Sequence, residues 1–233
     1  MSEEERAIVV YGASGHGLAI AMVLQGQSTY PVSRRIAAFI DDTPELVGKE
    51  HGGIPVVSFD DWRRAFMQTP CFVSSGKGKV RKLLVDRILA AGGFFECVYP
   101  NVRAPYEVPR IGFGSIVAQF VFVGPNVTIG NHVQVMPMTS LGHDVAIGDF
   151  ATVCPGCTIS GHVRIEEGAF IGAGATVLNG KPSRPITIGR DSVVGAGSVV
   201  TKSVSPGSTV SGNPAESLRE RAAGRRRHRG ESS

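Results

Sequence analysis

From Ile111 to Val177 every sixth residue is aliphatic, without a break: Ile111, Val117, Val123, Ile129, Val135, Leu141, Ile147, Val153, Ile159, Ile165, Ile171 and Val177. Four residues after each comes a small or β-branched residue, as at Ser115, Val121, Val127, Val133, Thr139, Val145, Ala151, Cys157, Val163, Ala169 and Ala175. Glycine directly follows the aliphatic position at Gly112, Gly124, Gly130, Gly142, Gly148 and Gly172. Such a period fits neither an amphipathic helix nor a half-buried strand. It fits a coil of short strands and tight corners. The aliphatic residue points inward, the small one fits beside it, and glycine permits the backbone of the corner. This is the hexapeptide β-helix repeat, with about eighteen residues to one triangular turn.

The register breaks at Asn179-Gly180-Lys181-Pro182-Ser183-Arg184-Pro185 and resumes at Ile188, Val194 and Val200. The inserted residues must loop out from a corner, because the prism has no room for them inside. Two readings stand: a plain surface excursion, or a wall of a ligand groove.

The N-terminal half has a different pattern. Residues 6–11 read as a buried parallel strand, followed by Gly12-Ala13-Ser14-Gly15-His16-Gly17 and an apolar helical stretch, Leu18 to Leu24. Strand, glycine-rich turn and helix form the phosphate-binding layout of doubly wound domains. The spacing is GxxGxG, not the GxGxxG of dinucleotide enzymes. A second strand, Arg35 to Ile40, ends in Asp41-Asp42, where an acid of such folds reaches ribose hydroxyls or simply caps a turn. Gly53 to Val57 reads as a short strand or turn, Asp60-Asp61-Trp62 opens a helix, and Cys71 to Ser75 reads as a strand. Gly76-Lys77-Gly78-Lys79 follows it, then a helix from Val80 to Ala91; Phe94 to Val98 reads as a last strand. The glycine turn, Asp41-Asp42 and Gly76–Lys79 all lie at C-terminal strand ends and should line one crevice.

The chain thus divides into residues 1–100, a small Rossmann-like α/β domain, 101–216, an all-β parallel coil, and 217–233, a tail. That tail holds six arginines against two acids, which accounts for the formal charge of +4. It lacks interleaved aromatics, so a solvated terminus is expected rather than a nucleic-acid arm. No run approaches the length of a membrane span, and the acidic start is unlike a secretory signal. A cytoplasmic protein without membrane or nucleic-acid partners is expected. Cys154 and Cys157 form a CxxC with no second ligand pair, and Cys157 occupies a small inward slot of the repeat. Reduced core thiols and no metal site are expected.

His16 lies in the glycine turn, and His132, His143 and His162 lie at corners of the coil, where side chains usually face solvent. His143 differs in being followed by Asp144, since a carboxylate near an imidazole holds its tautomer and stabilises the imidazolium.

Tyr11–Gly17, Ile40-Asp41-Asp42, the run His143–Phe150, Val194–Val200 and Gly212-Asn213-Pro214-Ala215 together resemble the bacterial sugar acetyltransferases of the NeuD/PglD type. The resemblance spans about residues 6–216. It implies a left-handed β-helix behind the α/β domain, acetyl-coenzyme A as co-substrate and a homotrimer. It implies that Ser14, Gly15, His16, Asp41, Asp42 and Gly76 meet a nucleotide-linked amino sugar, that His143 is the general base, and that Asp144 raises its basicity. Family positions for acetyl-coenzyme A fall on Thr152, Ala173 and Ala196. Thr152 stands where some members carry histidine and would donate one hydrogen bond to the thioester. Lys79 replaces an acid of at least one member and would also meet the sugar.

The expected activity is acetyl-coenzyme A-dependent N-acetylation of a nucleotide-linked amino sugar bound for a surface glycan. The chemistry asks for a base to take the amine's proton and N–H groups to hold the oxyanion. Alternatives are an O-acetyltransferase of the sialic-acid type and a non-catalytic nucleotide-sugar-binding trimer, against which the His143-Asp144 pair argues. An NAD-linked oxidoreductase fails on the glycine spacing.

Overall fold

The computed structural model describes residues 4–26, 32–97 and 109–218. Val98, the link beginning at Tyr99-Pro100 and the arginines of the tail lie outside the described residues. In the N-terminal half the order is β1 (Glu4–Tyr11), α1 (Gly15–Gly26), β2 (Val32–Ile40), β3 (Glu50–His51), β4 (Ile54–Val57), α2 (Phe59–Ala65), β5 (Cys71–Val73) and α3 (Gly78–Ala90). The sheet runs β3-β4-β2-β1-β5. Its pairs are parallel apart from the short β3–β4 hairpin. The strand order reverses between β1 and β5, so a crevice opens at their C-terminal ends. The strand expected from Phe94 is absent over residues 94–97. There the chain spends its bonding on neighbours instead, with Cys71 N donating to Phe94 O at 2.9 Å and Gly114 N to Glu96 O at 2.9 Å.

The rest of the described chain is a left-handed parallel β-helix. Its rungs stack into three faces. Face A carries Ile116–Val117, Gln134–Val135, Thr152–Val153, Phe170–Ile171, Val193–Val194 and Thr209–Ser211. Face B carries Phe122–Val123, Ser140–Leu141, Thr158–Ile159, Thr176–Val177 and Val199–Val200; face C carries Arg110–Ile111, Thr128–Ile129, Ala146–Ile147, Val163–Ile165 and Ile186–Ile188. Of the aliphatic positions from Ile111 to Val177 all but Val123 are buried, as are the small or β-branched positions four residues later. The expected hydrophobic pattern is therefore the actual interior.

The corner backbone differs from the reading above. Positive φ falls three residues after the aliphatic position, not on the glycine that follows it: on Phe120, Asn126, His132, Met138, Asp144, Phe150 and His162 among non-glycines, and on Gly114, Gly156, Gly168 and Gly174. The glycines directly after the aliphatic residues serve close stacking. A Cβ on Gly142 would lie 2.8 Å from Gly161 N, and one on Gly172 would lie 2.5 Å from Ala196 N. No side chain fits between coils that near.

The two halves are clamped along face A and the C–A edge. Arg81 of α3, 1% exposed, donates to His132 O (2.7 Å), Phe150 O (2.6 Å), Ala151 O (3.0 Å), Thr152 Oγ1 (3.0 Å) and Ser75 O (2.5 Å). Burial pulls its pKa down to about 10, so it stays charged at neutral pH. Ile116 and Met136 of the coil complete the apolar cluster of β1, α1 and β2.

His132 is not the surface residue its corner position suggested. It is 8% exposed, stacks on Phe150 with centroids 5.1 Å apart, and meets Phe95 edge-on at 4.5 Å. Burial, then the Arg81 charge, pushes its pKa down to about 4. The unfolded chain therefore binds a proton that the folded one refuses between the ordinary histidine value and about 4. Stability is complete above that window and falls as pH is lowered through it, by up to roughly 3 kcal/mol for a shift of this size. Urea unfolding across the window is expected to show that loss in the wild type. His132→Asn, which keeps a residue tolerant of positive φ, is expected to show a correspondingly shallower fall.

Candidate functional site

The β1–α1 turn depends on its glycines. Gly12 has φ +108°, and a Cβ there would strike the Ser74 hydroxyl. Ser14 caps α1, its Oγ accepting from Gly17 N at 3.2 Å. Lys77 precedes α3 in the same mouth. Two helix N-termini thus face one crevice, over the buried Arg81 charge, an arrangement that favours an anion.

That crevice is a cavity of about 630 Å³ lined by Tyr11, Gly12, Ser14, His16, Ser74–Lys77 and Leu84 from the α/β half, and by Met136, Thr152, Cys154, Pro155 and Phe170 from face A. Its volume suits an organic ligand. His16 Nε2 lies 3.4 Å from Gln134 Oε1, and Gln134 donates to Val73 O at 3.0 Å. Gln134 escaped the reading of the sequence. Its signal was its place one coil before Thr152 on the same face, visible only once the coil is threaded.

Several candidate residues stand elsewhere or are already engaged. Asp41 accepts from Ala13 N (2.7 Å) and Thr43 N (2.9 Å), so it holds the glycine turn. Burial raises its pKa, but those bonds outweigh it and hold the carboxyl below its ordinary value. Asp42 pairs with Arg87 (2.7 Å) and accepts from the Tyr11 hydroxyl (2.5 Å) beside a second cavity of about 390 Å³ formed with Pro44, Val47, Phe59 and Asp60. Arg87 also covers the Phe59 ring at 3.9 Å. Lys79 reaches Asp191 (3.4 Å) on the C–A edge and does not line that cavity. Thr152 lies on the crevice wall, where its single hydroxyl proton goes to Gly76 O (2.9 Å) while Arg81 donates to the oxygen. A hydroxyl has one proton to give, so the expected bond from Thr152 to a thioester is already spent. Gly15 opens α1 without lining the cavity.

Ala173 and Ala196 are exposed and stacked on the A–B edge, with Gly197 N donating to Ala173 O at 2.8 Å. His143 and Asp144 lie on the B–C edge, the edge opposite face A. His143 Nδ1 is 2.7 Å from Asp144 Oδ2, with side chains 51% and 36% exposed. Asn126 donates to Asp144 Oδ1 at 3.0 Å, and His162 Nδ1 lies 3.7 Å from Asp144 Oδ2. The two imidazoles meet edge-on at 4.8 Å. The bond to His143, then that from Asn126, holds the Asp144 carboxyl below its ordinary value. With Nδ1 bonded to Asp144, the other nitrogen of His143 is left toward solvent, poised above Gly161, whose missing Cβ would lie 2.5 Å from Nε2. His143, Asp144 and His162 offer ligand atoms within 4.8 Å of one another, so they are also the candidate metal-binding group among the described residues. Asn126, Asp144 and His162 are spaced by one coil each and share the positive-φ position. Of the two CxxC thiols, Cys157 is buried and donates to Gly172 O, and Cys154 lines the crevice with its pKa raised by burial to about 11.

The PglD N-terminal domain model matches residues 7–88, the bacterial transferase hexapeptide model 126–161, and the hexapeptide repeat of succinyl-transferase 162–202. The chain is 34% identical over 213 residues to GDP-perosamine N-acetyltransferase of Escherichia coli O157:H7, covering 90% of this chain and 95% of that protein. Among solved structures, WeeI from Acinetobacter baumannii AYE has 32% identity and a TM-score of 0.74, covering 91% of this chain and 100% of that one. PerB from Caulobacter crescentus, solved with CoA and GDP-perosamine, has 26% identity and a TM-score of 0.76, covering 91% of this chain and 96% of that one.

Because Asp41 carries the glycine turn, Asp41→Ala is expected to lower unfolding stability by about 1–2 kcal/mol. Chemical denaturation of ligand-free protein reads this; a residue serving ligand contact alone would leave the midpoint unmoved.

Proposed function

We propose an activity and a proton path for a chain that belongs to the hexapeptide-repeat sugar acetyltransferases with a PglD-type N-terminal domain. It transfers the acetyl group of acetyl-coenzyme A to the amine of a nucleotide-linked amino sugar. The observation that carries this is the near full-length match to GDP-perosamine N-acetyltransferase, and GDP-perosamine is accordingly the first substrate to try.

The crevice holds the nucleotide-sugar. Its two helix N-termini take the diphosphate, and Ser14, His16 and Gly76 line the path toward face A. Asp42 and Arg87 shape the adjoining cavity at the end of β2. Ala173 and Ala196, small and exposed on the A–B edge, let the coenzyme arm lie against the coil. His143 acts at Nε2, receiving the proton that leaves the amine as it attacks the thioester carbonyl. Asp144 accepts from Nδ1–H, which fixes the tautomer and stabilises the imidazolium.

Within one chain these parts cannot meet, because the pair lies on the edge opposite the face that walls the crevice. The protein is therefore a homotrimer in this reading, with the B–C edge of one copy set against face A and the A–B edge of its neighbour. Phe120, Phe122 and Met138, 80%, 62% and 69% exposed along face B and the A–B edge, supply apolar surface for that packing.

Incubation with acetyl-coenzyme A and a panel of GDP-, UDP- and dTDP-amino sugars is expected to give one product heavier by a single acetyl group; no acetylation of any amino sugar would refute the activity. His143→Ala is expected to lower kcat at least about a hundredfold. Gly161→Ala should do so nearly as strongly, since the three atoms nearest an added Cβ all belong to the His143 ring. Neither should change stability by more than about 1 kcal/mol, because the contact lies at a surface edge. Asp144→Ala should move the acidic limb of the kcat/KM profile downward, as the imidazolium loses its carboxylate. A limb that stays in place would remove Asp144 from the proton path.

A further inference from the structure

The insertion that breaks the hexapeptide register is a bonded hairpin. Lys181 N donates to Arg184 O at 3.0 Å and Arg184 N to Lys181 O at 2.9 Å, so the two residues face each other across a two-residue turn, Pro182-Ser183. Its base is tied to the coil by Gly180 N to Gly161 O (3.0 Å), Ile186 N to His162 O (3.2 Å) and Gly161 N to Asn179 Oδ1 (2.8 Å). Directly opposed residues of an antiparallel pair put their side chains on one side, with Cβ atoms about 5 Å apart. Two like charges so placed repel, and no carboxylate is paired with either among the described residues. Both side chains are exposed. One coil further along the same B–C edge stands Lys202, also exposed. The hairpin springs from the coil next to His162, which touches the His143 ring, so the three cations continue the edge that bears the His143-Asp144 pair. At about 4.8 Å per coil they begin roughly 10 Å along the axis from His143.

We propose that Lys181, Arg184 and Lys202 are the anion-binding end of the coenzyme groove and hold the phosphates of the coenzyme's nucleotide. The inference rests on the acetyltransferase reading. A coenzyme whose thioester lies at His143 must send its phosphates away along the prism. On this edge the inserted hairpin is where fixed, unneutralised cations stand. The paired backbone of the hairpin holds two charges together before the ligand arrives, so less ordering is left to do on binding.

The test is calorimetric titration of coenzyme A and, separately, GDP into the full chain and the Lys181→Gln/Arg184→Gln double variant. The variant is expected to bind coenzyme A at least about tenfold more weakly, with GDP affinity and melting temperature unchanged. The coenzyme A affinity of the wild type should fall more steeply with added salt than that of the variant. Equal coenzyme A affinity in the two proteins, or a loss confined to GDP, would overturn the assignment while leaving the acetyltransferase reading intact. A wild type that binds no coenzyme A would sink that reading as well.

Discussion

The stacking of one coil on the next fixes everything else in this molecule. Before the insertion each residue of a rung pairs with the one eighteen positions on, and corner residues meet at the same spacing, as Asn126 does with Asp144 and Asn131 with Asp149. Glycines hold the coils too close for any intervening side chain. Corners therefore fall into straight columns, and whatever residue occupies a corner is locked beside its counterparts one coil away. Asn126, Asp144 and His162 form such a column, with His143 one residue before its middle member. A hydrogen-bonded imidazole arises from nothing more than this repetition. The ordering cost is borne by the coil as a whole, so the pair needs no special backbone of its own.

The same regularity keeps different chemistries apart. Face A closes the crevice beneath the α/β half, and Arg81 pins that contact from inside with bonds to carbonyls and one hydroxyl. The exposed alanines follow the A–B edge. The histidines and the cationic hairpin follow the B–C edge. A triangular prism cannot bend to bring an edge round to the far face, so in the proposed reading a base on one edge reaches an amine held against that face through association of copies. This is the physical argument for a site shared between neighbours.

The coil was legible because its period is carried by the interior, and the interior residues are aliphatic and uninterrupted. The parallel sheet was legible for the same reason, from short apolar strands that end in glycine turns. The chemistry at strand ends was less so. Asp41 reads as a ligand contact, yet two backbone N–H groups claim it. Thr152 reads as a donor to a thioester, yet its proton goes to Gly76. Lys79 reads as a crevice residue, yet α3 is pressed so closely on the corner at Phe150 that Lys79 faces Asp191. Each of these partners is tertiary and has no local signature. His132 and Gln134 were missed in the opposite sense: a corner histidine and a rung glutamine look solvent-facing until the α/β half is laid over them. The register itself held the information that was overlooked, since Asp144 and His162 are one coil apart in the sequence.

In the proposed trimer, crevice and base come from different copies. This is tested most directly by mixing two separately inactive variants, His143→Ala and a crevice-filling Gly76→Trp, through joint unfolding and refolding. In random trimers each site draws its crevice from one copy and its base from the next, so about a quarter of the sites are whole and about a quarter of the wild-type acetylation rate should return. A mixture that stays as inactive as its components, although mass analysis shows mixed trimers, would contradict the account.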